Sequence, residues 1–185
     1  MLGLIILALL SGTDMETENN AFGTFEFKDL KKQQFVIVND GVMGGRSQSE
    51  LSVLNKAASY SGEVSLENNG GFASVRMIWP FDFSKNNSAP SIAVLKVKGD
   101  GKTYQFRLRT NRGFDGAAYS YSFKTLANKE QTIYIPITDF VPTFRGRTLR
   151  NMPKLEFSDV QQMGVLVADY QVGAFKIDLI DLSLQ

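Results

Sequence analysis

The sequence predicts an all-β fold, an antiparallel β-sandwich of the jelly-roll kind, on three observations. Short runs rich in β-branched and aromatic residues recur along the chain. Clusters of Gly, Asn and Asp separate them at regular intervals, and no segment carries a strong helical period. Fourteen Phe and six Tyr among 185 residues suit strands better than helices. Some ten short strands in one domain of this length point to a sandwich rather than to layered helices and sheet.

Taken in order, residues 22–27 alternate well enough for a first strand, with Phe25 and Phe27 on one face. Residues 35–38 form a short β-branched run. Residues 47–54 offer Ser47 and Glu50 as a capping box, but too little apolar periodicity follows, and Leu51 and Val53 suit a strand face. Residues 60–66 and 72–79 read as a hairpin across the turn cluster Glu67-Asn68-Asn69-Gly70-Gly71. Residues 81–90, with Asp82, Asn86 and Asn87, read as a polar loop. Residues 92–97 make a buried strand that ends at the tight turn Gly99-Asp100-Gly101. Residues 103–110 then alternate cleanly, with Tyr104, Phe106 and Leu108 on one face and Gln105, Arg107 and Arg109 on the other. In residues 118–124, Tyr119, Tyr121 and Phe123 share a face that aromatic bulk assigns to the core. Residues 132–137 form a strand with Pro136 marking an edge or an end. Residues 138–155 read as a long loop, and 160–168 and 174–184 as closing strands. Residues 21–185 form one domain, with no internal repeat.

Composition narrows the chemistry. The chain has no Cys and no His, which excludes disulfides, Cys/His zinc sites, thiol nucleophiles and every triad with histidine as base. Twenty Lys plus Arg against nineteen Asp plus Glu give a net charge of +1, so no general field draws nucleic acid or acidic lipid. A carboxylate pair such as Asp40 and Asp115 is the remaining route to glycoside hydrolysis, and the expectation is that the protein is not an enzyme. No cofactor is expected. Asp82, Asp100, Asp115 and Asp169 fall in turns and leave a structural calcium open, though without the spacing of a dedicated calcium loop. Residues 1–10 are almost all apolar, too short a run to span a bilayer, which takes about 20 residues. Residues 1–20 read as a weak export signal or a mis-assigned start with Met15 as initiator. No mitochondrial transit peptide is evident, so cytoplasmic and exported products both stay open.

The densest loop is Val38-Asn39-Asp40-Gly41-Val42-Met43-Gly44-Gly45-Arg46-Ser47. It fails as a phosphate loop, because Asp40 stands where the first glycine belongs and Arg46 where the lysine belongs. Its structural reading is a bend at Gly44 or Gly45 with positive φ, Asn39 and Asp40 capping turns. Its functional reading is a contact through Asn39, Asp40, Met43 and Arg46. Gln105, Arg107 and Arg109, on one strand face, suit sugar hydroxyls or the carboxylates of a protein partner, against the plainer reading of a solvated face. Phe144, Arg145 and Arg147, around Gly146, have the composition of an interface anchor or of a soluble loop.

From residue 22 to residue 184 the chain resembles the complex I intermediate-associated protein 30-kDa family. The glycine loop carries the resemblance, together with Leu66-Glu-Asn-Asn-Gly-Gly-Phe-Ala-Ser-Val-Arg76 and Gly99-Asp-Gly-Lys-Thr-Tyr-Gln-Phe-Arg-Leu-Arg109. Further along come Asp139-Phe-Val-Pro-Thr-Phe-Arg-Gly-Arg147 and Val165-Leu-Val-Ala-Asp169. Phe35 and Glu130 stand where the family pattern has tryptophan. The resemblance implies a galactose-binding-domain-like jelly roll. It also implies a non-enzymatic, chaperone-like assembly or scaffolding factor whose partners are proteins, among them respiratory complex I subunits or assembly intermediates, with membrane contact at most indirect. A carbohydrate-binding module on the same fold, with a glycan as ligand, is the alternative.

Overall fold

The computed structural model describes residues 22–85, 89–113 and 115–185, with the side chains of Val42 and Met43 outside that description. The N-terminal apolar run and the pair Asn86 and Asn87 therefore lie outside the described residues. Two antiparallel sheets pack face to face. In chain order the strands are β1 (Thr24–Glu26), β2 (Phe35–Ile37), β3 (Gln48–Val53), β4 (Ala58–Val64), β5 (Ala73–Ile78), β6 (Ile92–Gly99) and β7 (Thr103–Arg109). They continue with β8 (Ala118–Lys124), β9 (Glu130–Pro136), β10 (Val141–Phe144), β11 (Arg147–Thr148), β12 (Gln162–Val167) and β13 (Gly173–Leu184). One sheet runs β3-β4-β13-β6-β9, with β1 also on β13; the other runs β11-β10-β8-β7-β12-β5-β2. This is the all-β sandwich that the sequence predicts.

Alternation explains the core. Val75 and Met77 of β5, Tyr104, Phe106 and Leu108 of β7, and Met163, Val165 and Val167 of β12 point inward and are buried. They meet Tyr60 and Val64 of β4, Leu95 and Val97 of β6, and Ile177 and Leu179 of β13. Strand β13 changes parity midway: Phe175, Ile177 and Leu179 face the core, and then Leu182 and Leu184 do. The register shift between Leu179 and Asp181 inserts the extra residue that makes this possible. Pro136 ends β9, an edge strand, where its missing N–H breaks no ladder.

Two expectations are corrected. The runs at 60–66 and 72–79 are not a hairpin. They lie in β4 and β5, which belong to different sheets, so residues 65–72 cross from one sheet to the other. The Asn-Gly cluster holds that crossing as a 3-10 turn at Glu67–Asn69, with Asn68 and Asn69 at φ +56° and +59°. Residues 138–155 are not one long loop either. They contain β10 and β11, paired from Phe144 to Arg147 around a two-residue turn with Arg145 and Gly146 at φ +47° and +75°, the tight turn that antiparallel twist favours. Pro142 is tolerated inside β10; its carbonyl accepts from Leu149 N.

Candidate functional site

The glycine loop is built around one carboxylate. Asp40 is fully buried and accepts hydrogen bonds from Ser47 N (3.0 Å), Ser47 Oγ (2.5 Å), Gly71 N (2.6 Å) and Phe72 N (3.2 Å). Burial pushes its pKa up, but the bonds from the Ser47 hydroxyl and from the Gly71, Phe72 and Ser47 amides outweigh it, and the carboxyl lies below its ordinary range. The glycines follow from that packing. A Cβ on Gly45 would meet the Asp40 carboxyl at 2.4 Å, and one on Gly70 would meet Asp40 Oδ2 at 2.6 Å. Gly44 has φ +88°, with its amide bonded to the Gly41 carbonyl. Asp40 thus joins two segments far apart in sequence, 40–47 and 70–72, at the point where the chain crosses between sheets.

The other residues singled out in this loop divide. Asn39 accepts from Ser49 Oγ at 2.8 Å, and Tyr60 OH donates to the same hydroxyl at 3.2 Å. Asn39 uses its Oδ1 internally, and Asp40 uses its whole carboxylate and offers no surface to a partner. Arg46 is exposed and ion-paired to Glu67 at 2.9 Å. Met43 falls outside the described side chains.

Gln105, Arg107 and Arg109 do share the outward face of β7, as alternation requires. They are not a solvated row. Arg109 is only 4% exposed and Arg107 is half-buried, with its Nε donating to Ser120 Oγ at 3.1 Å. Gln105 donates to Asp169 Oδ2 at 3.3 Å. Three residues the sequence reading missed complete this face: Arg76 of β5 and Gly164 and Gln162 of β12. The alternation of 73–78 carried the signal for Arg76, since Val75 and Met77 point inward. Tyr104, Phe106, Tyr119 and Phe123 are turned into the core, so the aromatic rings near these arginines lie on the opposite side of the sheet.

Phe144, Arg145 and Arg147 sit at the β10–β11 turn, away from both clusters in sheet order. Arg145 lies 5.1 Å from the centre of the Phe144 ring and pairs with Asp115 at 2.6 Å, while Arg147 is exposed. The four turn aspartates stay apart. Asp82 accepts from Ser84 N; Asp100 accepts from Lys102 N, Tyr104 OH and Lys176 N; Asp115 and Asp169 take the partners just given. Among the described residues no three acidic groups cluster around a metal position, and no helix is long and apolar enough to cross a membrane.

A two-sheet antiparallel sandwich with this strand order is a jelly roll of the galactose-binding-like class. The chain belongs to the complex I intermediate-associated protein 30 family, whose profile matches residues 24–179. Among curated proteins it is 26% identical over 166 residues to an uncharacterized protein of Schizosaccharomyces pombe, covering 80% of this chain and 76% of that one. Among solved structures it is similar to the family 11 carbohydrate-binding module of the cellulosomal cellulase Lic26A-Cel5E of Clostridium thermocellum. That match has a TM-score of 0.61 and 15% identity, and covers 89% of this chain and 96% of the module. It is also similar to part of the agarase AgWH50C (TM-score 0.56, 8% identity), covering 88% of this chain and 25% of the agarase. At such identities the likeness is one of fold.

Proposed function

We propose that this protein is a non-enzymatic assembly factor that holds subunits or assembly intermediates of respiratory complex I by protein–protein contact. The observation that carries the reading is family membership across nearly the whole sandwich. The β10–β11 turn supports it, since Phe144 and two arginines stand together at one end of the seven-stranded sheet, with Arg145 and Arg147 exposed. Aromatic and arginine side chains are the usual anchors of protein interfaces. Co-purification from native respiratory membranes tests it. Complex I subunits should be enriched with the parent protein and lost with Arg145→Glu/Arg147→Glu. Equal enrichment with that variant removes the turn from the contact, and no enrichment with the parent removes the reading.

The module-like fold favours a second reading, a glycan bound over Gln105 and Arg107. Inward-turned Tyr104, Phe106 and Tyr119 weigh against it, because sugar rings are ordinarily held by stacking on exposed aromatic faces. Saturable binding on a glycan array, lost in Arg107→Ala, would establish it in place of the first.

A further inference from the structure

The outward face of the seven-stranded sheet gathers three arginines that the assembly reading does not use. Arg76 of β5 and Arg107 of β7 are the register partners of Gly164 on its two sides. Strand spacing therefore places their Cα atoms about 9–10 Å apart, with no side chain between them. Arg109, two residues along β7 and opposite Gln162, projects to the same side.

The small side chains on this face are covered rather than solvated. Ser74, Ala118, Ser120 and Leu166 all occupy outward positions, yet each is less than one-tenth exposed. Beneath this cover Arg109 Nε is buried without a hydrogen-bond partner among the described residues, and so is the neighbouring Gln162 Oε1, an acceptor that suits an anion only once the amide turns over to present its NH2. A buried guanidinium with an idle donor is costly, and the cost falls when an anion fills the place. Burial and then the Arg76 charge lower the Arg107 pKa to about 10; burial and then Arg76 and Arg107 lower that of Arg109 to about 9. Guanidinium stays protonated in proteins, so this pressure persists as repulsion in the free protein. Asp115 relieves part of it at Arg76 and Arg109, but that carboxylate is already paired with Arg145.

We propose that the cluster of Arg76, Arg107 and Arg109 is a binding site for a phosphate group. A single carboxylate brings one charge and two oxygens to a cluster of three positive charges. A phosphate monoester brings a charge of about −1.5 to −2 and three terminal oxygens, and arginine forks bind it bidentately. Gly164 puts no side chain between Arg76 and Arg107, because a Cβ there would stand 2.5 Å from the Val75 carbonyl oxygen, and three paired strands hold the three arginines side by side before the ligand arrives. The site stands whether or not the assembly reading does.

Titration calorimetry and thermal melts with inorganic phosphate test it, with glycerol 3-phosphate as a second arm and acetate as comparator at matched ionic strength. Phosphate should bind saturably and raise the melting temperature with concentration, acetate should not, and Lys56→Gln, exposed and away from the arginine cluster, should behave as the parent. Arg109→Met and Arg107→Lys should each weaken phosphate binding by about tenfold or more. In phosphate-free buffer Arg109→Met should melt higher than the parent, because it removes a buried charge. Tighter binding of the ester assigns a phosphorylated molecule as ligand, and equal binding assigns free phosphate. The absence of saturable binding overturns the proposal. So does an equal response to acetate, or an equal loss in Lys56→Gln.

Discussion

Gly45 lies so close to Asp40 that a Cβ at residue 45 would stand 2.4 Å from the carboxyl carbon. The side chain that makes four hydrogen bonds in this loop and the residue that has no side chain are therefore one arrangement. Gly45→Ala must push the carboxylate off the Ser47, Gly71 and Phe72 donors and should cost about 2–4 kcal/mol. Gly44 is different. Nothing lies within 4 Å of its absent Cβ, and its φ of +88° is the whole constraint. Gly44→Val should cost roughly 1–2 kcal/mol through backbone strain alone. Urea denaturation of the two variants checks the order; a Gly45→Ala protein as stable as the parent would refute it.

Asp40 should also set part of the acid stability. Its folded pKa is below its unfolded value, so the stability it contributes is complete above the ordinary carboxylate pKa of about 3.9. That stability is lost as pH falls through the folded value. Asp40→Asn should melt well below the parent at pH 7, and the gap should narrow below about pH 4. Calorimetry between pH 3 and 7 reads this directly. A gap independent of pH would mean that shape, and not charge, is what the amides recognise. Asp40→Ala should cost about 3–5 kcal/mol, more than the 0.5–2 kcal/mol of an ordinary turn cap, because four hydrogen bonds lose a charged acceptor at once.

Why some of this was legible in the sequence and some was not follows from the range of each interaction. Alternation is local, so the inward Tyr104, Phe106 and Leu108 and the outward Gln105, Arg107 and Arg109 could be read from seven residues of β7. The positive φ at Gly44 was legible for the same reason. The 65–72 crossing was not, because an Asn-Gly cluster serves a hairpin and a sheet-to-sheet passage equally well. The bond from Asp40 to Gly71, 31 residues away, is what decides between them. Arg76 escaped notice because its meaning depends on β12 placing Gly164 between it and Arg107, a non-local pairing. Residues 138–155 misled by their two prolines. One of these, Pro142, sits in a strand where its missing N–H is tolerated.

Trp79, the one tryptophan of the chain, offers a probe of the core. It is 8% exposed, stacks on Phe157 at 6.1 Å and meets the edge of Phe81 at 5.0 Å. Its emission should be blue-shifted in the folded protein and move red in one step with the loss of sheet signal on unfolding. Phe157→Ala removes a nearly fully buried ring that also touches Phe140, and should cost about 3–5 kcal/mol. Emission that changes before the far-ultraviolet signal would show that this corner opens on its own.

The last prediction separates stability from contact at the β10–β11 turn. The Arg145–Asp115 pair is short, at 2.6 Å, but both side chains are more than half exposed. Water and salt screen such a pair, and its coupling should be about 1 kcal/mol or less. A double-mutant cycle with Arg145→Ala and Asp115→Ala, read by urea denaturation, measures that coupling. Arg147→Ala leaves the pair untouched and should shift stability by no more than about 0.5 kcal/mol. If the turn is where a protein partner docks, these variants should keep the parent fold while losing co-purified complex I subunits, Arg145→Ala more than Asp115→Ala, since the exposed guanidinium, set over the half-buried Phe144 ring, is the anchor. A loss of partner that merely tracks a loss of stability would make the turn a structural hairpin and nothing more.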